Sequence, residues 1–134
     1  MAVKRVTYFS VEVEDKPGVL ADFCAALRDR KVNLKGLWGF GMGMGKALIF
    51  SVPQNPNQFQ KATTAAGYAV KEGTAFYLTG ADRAGALCKT LDLAKSAGVN
   101  IHALDALAVG GKFGAYIWGE ENNTEDLAKA LGAK

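Results

Sequence analysis

Asp15-Lys16-Pro17-Gly18-Val19-Leu20 is answered 67 residues later by Asp82-Arg83-Ala84-Gly85-Ala86-Leu87. In each copy an acidic residue and a glycine precede apolar residues at helical spacing. Upstream, Phe9, Val11 and Val13 alternate with Tyr8, Ser10 and Glu12, while Phe76, Leu78 and Gly80 keep the same parity. That is the pattern of a strand with one buried face, so the hexapeptide marks a strand-to-helix turn that occurs twice. The offset is half of the 134 residues, and it makes 14 of 67 position pairs identical without a gap. Chance would give roughly 8%. The matches include Val32/Val99, Asn33/Asn100, Leu37/Leu104 and Gly43/Gly110. The chain reads as one duplicated unit, with domains at 1–72 and 73–134.

Periodicity gives each unit its elements. Pro17 stands where a helix begins, and Leu20, Phe23, Cys24 and Leu27 form its apolar stripe. The second copy carries Leu87, Leu91 and Ala94 and stops at Gly98. A second strand is expected from Val32 to Phe40, a turn at Gly41–Gly45, and a third strand from Lys46 to Val52. Beyond Pro53 and Pro56 a short helix starts at Asn57, presents Phe59, Ala62 and Ala66, and ends at Gly67. Tyr68 to Lys71 supplies a fourth strand. The second copy has its last helix at Thr124–Leu131 and no fourth strand before Lys134.

The expected fold is α+β: two ferredoxin-like βαββαβ units in tandem, with antiparallel sheets and helices on one face. The second unit lacks its last strand. Its sheet edge is then open or completed by another segment, for which the stretch Tyr68–Thr79 is the candidate. Exposed edges invite pairing, so an oligomer or a shared strand is expected.

Composition narrows the chemistry. Hydrophobic residues make up 49% and charged residues 22%, mean hydropathy is +0.03, and no apolar run approaches a bilayer span. The N-terminus alternates like a strand, so no targeting segment or membrane partner is read and a cytoplasmic setting is expected. A net charge of +3, from scattered residues, does not support nucleic-acid binding. One histidine, His102, and two cysteines, Cys24 and Cys88, support neither a metal site nor a disulfide scaffold. No cofactor and no catalytic residue is expected. The run Gly39–Gly45 lacks the Lys-Ser/Thr ending of a phosphate loop and reads as a hairpin loop, with Met42 and Met44 padding a pocket or an interface. Trp38 and Trp118 are assigned to sheet faces or a subunit contact, and His102 to the surface or an interface.

The repeated turn has chemistry of its own. N–H groups at a helix start lack intrahelical partners and favour an anion. Gly18 and Gly85 let a ligand approach the main chain, while Asp15 and Asp82 accept hydrogen bonds from an ammonium group. A zwitterionic amino acid satisfies both. The same residues also have a plain structural reading, with Asp capping the helix and Gly relieving the turn. Asn33 and Asn100, opening the second strand of each unit, likewise serve either a turn or a polar contact.

A strand, then Asp-x-Pro-Gly-Val-Leu, then an amphipathic helix leading to Val-Asn-Leu (Gly-Val-Asn-Ile at 98–101), resembles the ACT domain, here as a tandem pair over nearly the whole chain. Ala84 departs from that pattern, standing where proline is usual. The resemblance implies a small ligand, usually an amino acid, held between paired units by the first strand-to-helix loop and the start of the second strand. Carried over, the ligand-binding positions are Asp15, Gly18, Leu20 and Asn33, with Asp82, Gly85, Leu87 and Asn100 in the second half. The resemblance further implies a non-catalytic regulatory protein, a homodimer, acting through assembly or on a metabolic enzyme. The alternatives are a structural or protein-interaction module pairing through its free sheet edge, and an enzyme on a ferredoxin-like scaffold.

Overall fold

The computed structural model describes residues 2–133. Its longest strand, β1 (Ala2–Glu14), is divided between two units: residues 2–6 group with residues 74–133, and Thr7–Gly73 forms the other.

In the Thr7–Gly73 unit, β1 is followed by α1 (Val19–Asp29), β2 (Leu34–Gly43), β3 (Lys46–Pro53), α2 (Pro56–Ala65) and the opening residues of β4 (Lys71–Ala81). The strand order is β2-β3-β1-β4, with β3 antiparallel to both β1 and β2. Paired residues share a face, so Phe9 and Val11 lie with Ser51 and Ile49. On that face they meet Phe23 and Leu27 of α1 and Phe59 and Ala62 of α2. Phe9 stacks on Phe59 at 4.6 Å. The spacing of Phe23 and Leu27 places both on one stripe of α1, which is why this helix lies on the sheet. α2 starts at a capped end, where the Gln58 N–H donates to Asn55 Oδ1 and Pro56 holds the first helical position. Thr63 takes the buried place expected of Ala66, its hydroxyl donating to the Phe59 carbonyl.

In the other unit, the rest of β4 is followed by α3 (Ala86–Ser96), β5 (Ala103–Val109), β6 (Lys112–Trp118), one 3-10 turn (Glu121–Asn123) and α4 (Thr124–Leu131). Phe76, Leu78, Ala115 and Ile117 form the sheet side of its core, and Ala94, Leu127 and Leu131 the helix side. The place of a fourth strand is filled by Ala2–Val6, which lies beside β4. Val3 packs against this core, and the Arg5 guanidinium donates to both Glu125 carboxylate oxygens at 2.7 and 3.0 Å while lying 5.7 Å from the Phe76 ring centre. Among the described residues no strand follows α4, and the segment that takes the fourth place is 2–6; β4, most of which lies in the Tyr68–Thr79 candidate, is itself divided between the two units after Gly73. The expected strand at Tyr68–Lys71 is corrected likewise: residues 68–70 are not in a strand, and Lys71–Gly73 takes the fourth place in the first unit. There the Tyr8 ring lies directly over Gly73, where any Cβ would collide with it.

The glycine run is also corrected. Gly39–Gly43 is strand, and only Met44 and Gly45 turn, both with positive φ (57° and 74°). The second hairpin turns at Gly110 and Gly111, with φ of 60° and 80°. Two residues of positive φ match the right-handed twist of the flanking strands. Lys46 pairs with Gly43, and Lys112 with Val109, so the third strands correspond at an offset of 66. The second copy is one residue shorter at this point, and the Gly43/Gly110 identity is out of register. Among the described residues, no helix is long and apolar enough to cross a membrane.

Candidate functional site

Glu14-Asp15-Lys16 leaves the end of β1, and its main chain is anchored by the Asp15 N–H donating to the Gly45 carbonyl at 2.9 Å. The chain then bends through Gly18 (φ 90°), which is the N-cap of α1 without any side-chain cap bond. Asp15 is therefore not a helix cap. The same holds for the second copy, where Gly85 (φ 77°) is the N-cap of α3 and the Asp82 N–H donates to the Gly111 carbonyl at 3.0 Å. A left-handed conformation at this point demands glycine, which accounts for both glycines in the repeated hexapeptide.

Beneath the first loop is a cleft of about 240 Å³. Its rim is Glu14, Asp15 and Lys16; Val19 and Leu20, in the first turn of α1, form one wall, and Val13, Ala47 and Ile49 form the sheet side. Gly39 and Gly41 of β2 complete the floor, because residues two apart share a strand face and neither carries a Cβ. A Cβ on Gly41 would sit 2.6 Å from Asp15 Oδ2, so the Asp15 carboxylate lies across β2 only because residue 41 is glycine. A Cβ on Gly39 would come within 3.1 Å of the Leu48 carbonyl. The volume is below the ~300–1,000 Å³ of drug-sized ligand sites.

The rim is charged. Lys16 Nζ lies 2.8 Å from Glu14 Oε2. This hydrogen bond, reinforced by the charge of Lys16 and of Lys46, holds the Glu14 carboxyl below its ordinary range, and the Lys16 ammonium is raised by the same bond. Asp15 has no side-chain hydrogen bond or ion pair among the described residues and faces solvent. The cleft thus offers one uncommitted carboxylate, the N–H groups of Leu20 and Ala21 in the first turn of an 11-residue helix, whose neighbours Val19 and Asp22 donate to the Lys16 and Gly18 carbonyls, and apolar walls.

Of the residues picked from the first half, Asp15 and Leu20 line this cleft, and Gly18 sets the bend above it. Asn33 does not line it; its amide donates to Gln54 Oε1 at 2.9 Å, and its carbonyl accepts the Gln54 N–H. In the second half Asp82 and Gly85 repeat the loop, Leu87 is half-buried against the core, and Asn100 is exposed. His102 pairs with Glu120 at 3.2 Å. Trp38 stacks on Phe50 at 5.6 Å, Trp118 is buried, Cys24 is half-buried and Cys88 exposed. Sequence reading missed Gly39, Gly41, Glu14 and Lys16. The signal was present in Gly39-x-Gly41-x-Gly43, a spacing of two that bares one face of a strand. Among the described residues, no three of His, Cys, Asp or Glu are placed to hold a metal ion.

No family model and no curated protein matches the sequence. Solved structures do. A protein of Bacteroides thetaiotaomicron superposes with a TM-score of 0.82 at 20% identity, over 95% of this chain and 88% of the other. The ligand-free regulatory subunit of aspartate kinase from Thermus thermophilus superposes at 0.68 and 14% identity, over 98% and 93%. The structure of aspartokinase alpha and beta subunits gives 0.63 at 16%, over 98% and 95%. Likeness of this extent at such low identity is likeness of fold: the chain has the α+β fold of tandem ferredoxin-like units that these regulatory subunits share.

Proposed function

We propose that the chain is a non-catalytic regulatory module that binds an amino acid in the cleft of its first unit. The observation that carries this is the Asp15 carboxylate, unpaired and laid over Gly41, which lines the same apolar-walled cleft as Val19 and Leu20 in the first turn of α1. An ammonium group pairs with Asp15, a carboxylate accepts from the helix N–H groups, and the side chain rests on Val13, Leu20 and Ile49. The sequence units 1–72 and 73–134 act as two modules in this reading. A cytoplasmic homodimer and a metabolic enzyme as recipient of the signal are part of the same proposal, supported by two fold neighbours named as an aspartate kinase regulatory subunit and as aspartokinase subunits. A ligand shifts such an assembly only by binding one state more tightly than the other.

The test is the melting temperature of exhaustively dialysed protein against the free amino acids, with unrelated carboxylates as controls. Binding to the native state adds about 2.7 kcal/mol at a hundredfold excess over Kd. A selective rise that is lost in Asp15→Ala supports the proposal; Asp15 caps nothing, so the variant's own stability should stay close to the parent's. A flat panel at millimolar ligand refutes it. The interaction-module reading then leads, on the strength of β2, an edge strand whose Phe40 and Met42 are 54% and 44% exposed.

A further inference from the structure

The two copies of the loop are nearly superimposable in their hydrogen bonds, but the spaces beneath them are built from different side chains. At the β1 position facing the cleft the first unit has Val13, and the second has Gly80 at the same place in β4. On the hairpin partner the first unit has Ala47, paired one step from the turn, and the second has Phe113. The Phe113 ring occupies the room Gly80 leaves: a Cβ on Gly80 would stand 2.9 Å from its edge. Phe113 is only 9% exposed and belongs to the core. Leu87 packs against that core, whereas its counterpart Leu20 is 49% exposed at the open cleft. Finally, the bare floor of Gly39 and Gly41 is replaced by Ala106 and Ala108.

We infer that Phe113 is a built-in plug: the second unit's counterpart of the cleft is filled by its own aromatic ring, and each chain takes one ligand, in the first unit. The repeated Asp82-Arg83-Ala84-Gly85 loop then shapes a turn and holds nothing. The plug itself rests on packing alone, while the count of one ligand rests on the amino-acid reading above. A phenyl ring over a glycine and a methyl facing a valine are alternative fillings of the same position, and only the second leaves a cavity.

The test uses amide NMR spectra of the full chain with two probes. Benzene, which matches the ring removed, should leave amides 80, 85–87, 106 and 108 unmoved in the parent and shift them saturably in Phe113→Ala. Phe113→Leu, a smaller truncation, should show the same shifts more weakly and covers the case in which the alanine variant does not fold. Shifts of these amides in the parent as large as in the variants, or no uptake by either variant, would overturn the plug. The second probe is the panel of amino acids. Shifts should be confined to residues 14–20 and 39–41, and Ala47→Phe combined with Val13→Gly, which transplants the plug, should weaken them by about tenfold or more. Amino-acid shifts at 82–87 in the parent would overturn the single site. No amino-acid shift anywhere would refute the proposed function while the benzene result still decides the plug.

Discussion

The first unit's cleft and the same place in the second unit share a backbone and differ in what fills it. Both loops hang from a hairpin carbonyl, Gly45 or Gly111, and both helices begin at a left-handed glycine. Yet Val13 faces Ala47 beside two bare glycines in one, and Gly80 receives the ring of Phe113 in the other. Backbone turns are set by a few obligatory residues that duplication preserves. The volume under them is set by side chains that can trade places, so two copies keep one fold and part in what they can hold. The hairpins differ in the opposite sense: the second uses glycine at both turn positions, and the first puts Met44 at φ 57°.

The largest effect should come from deleting Ala2–Val6. The second unit would lose the strand beside β4, the Val3 contact and the Arg5–Glu125 pair, at a cost of more than ~5 kcal/mol. Hydrogen exchange should then show faster exchange in β4 and β6 than in β3; unchanged protection in β6 would mean that the strand is dispensable. Next come the matched core residues Phe9 and Phe76, which are 1% and 0% exposed. Alanine at either should cost ~3–5 kcal/mol in urea denaturation, and a large inequality would break the equivalence of the two cores.

Gly41→Ala should move ligand affinity far more than stability. The new methyl displaces the exposed Asp15 carboxylate, so the thermal response to amino acids should fall by roughly tenfold, about 1.4 kcal/mol. Ala108→Gly, its counterpart, should leave that response unchanged. At the hairpins, Gly110→Ala should cost about 1 kcal/mol, and Met44→Asn should gain up to about 1 kcal/mol, because asparagine tolerates the left-handed conformation. Equal melting temperatures for parent and Met44→Asn would show that the turn relaxes around methionine.

The smallest effect is electrostatic. Glu14 and Glu125 are held below the ordinary value of 4.5 by hydrogen bonds from Lys16 and Arg5. A depressed carboxyl stabilises the fold above its unfolded pKa and loses that contribution as pH falls through the folded value. The stabilisation should thus be complete at neutral pH and vanish on acidification below about 4.5. NMR titration should place Glu14 back in the ordinary range in Lys16→Ala, with Glu125 unmoved.

Much of this was legible in the order of residues. Helix α4 runs from Thr124 to Leu131 as its pattern indicates, and Asp15 and Leu20 do border a cleft. Gly39 to Gly43 misled because a glycine-rich run is read as a loop, whereas here its neighbour β3 supplies the ladder that keeps it extended. Asn33 looked like a ligand contact by its repetition, and its amide is engaged by Gln54, a partner 21 residues away that periodicity does not reveal.

The sequence by itself determined the duplication, the βαββαβ order and the position of the two glycine-capped turns, since these rest on local conformational demands and on hydrophobic period. Tertiary structure alone decided that Ala2–Val6 completes the second unit, that Asp15 lies over Gly41, and that Phe113 fills the space Gly80 leaves. Each of those depends on which residues distant in the chain face each other across a strand pair, and register is a property of the packed sheet that no single segment carries.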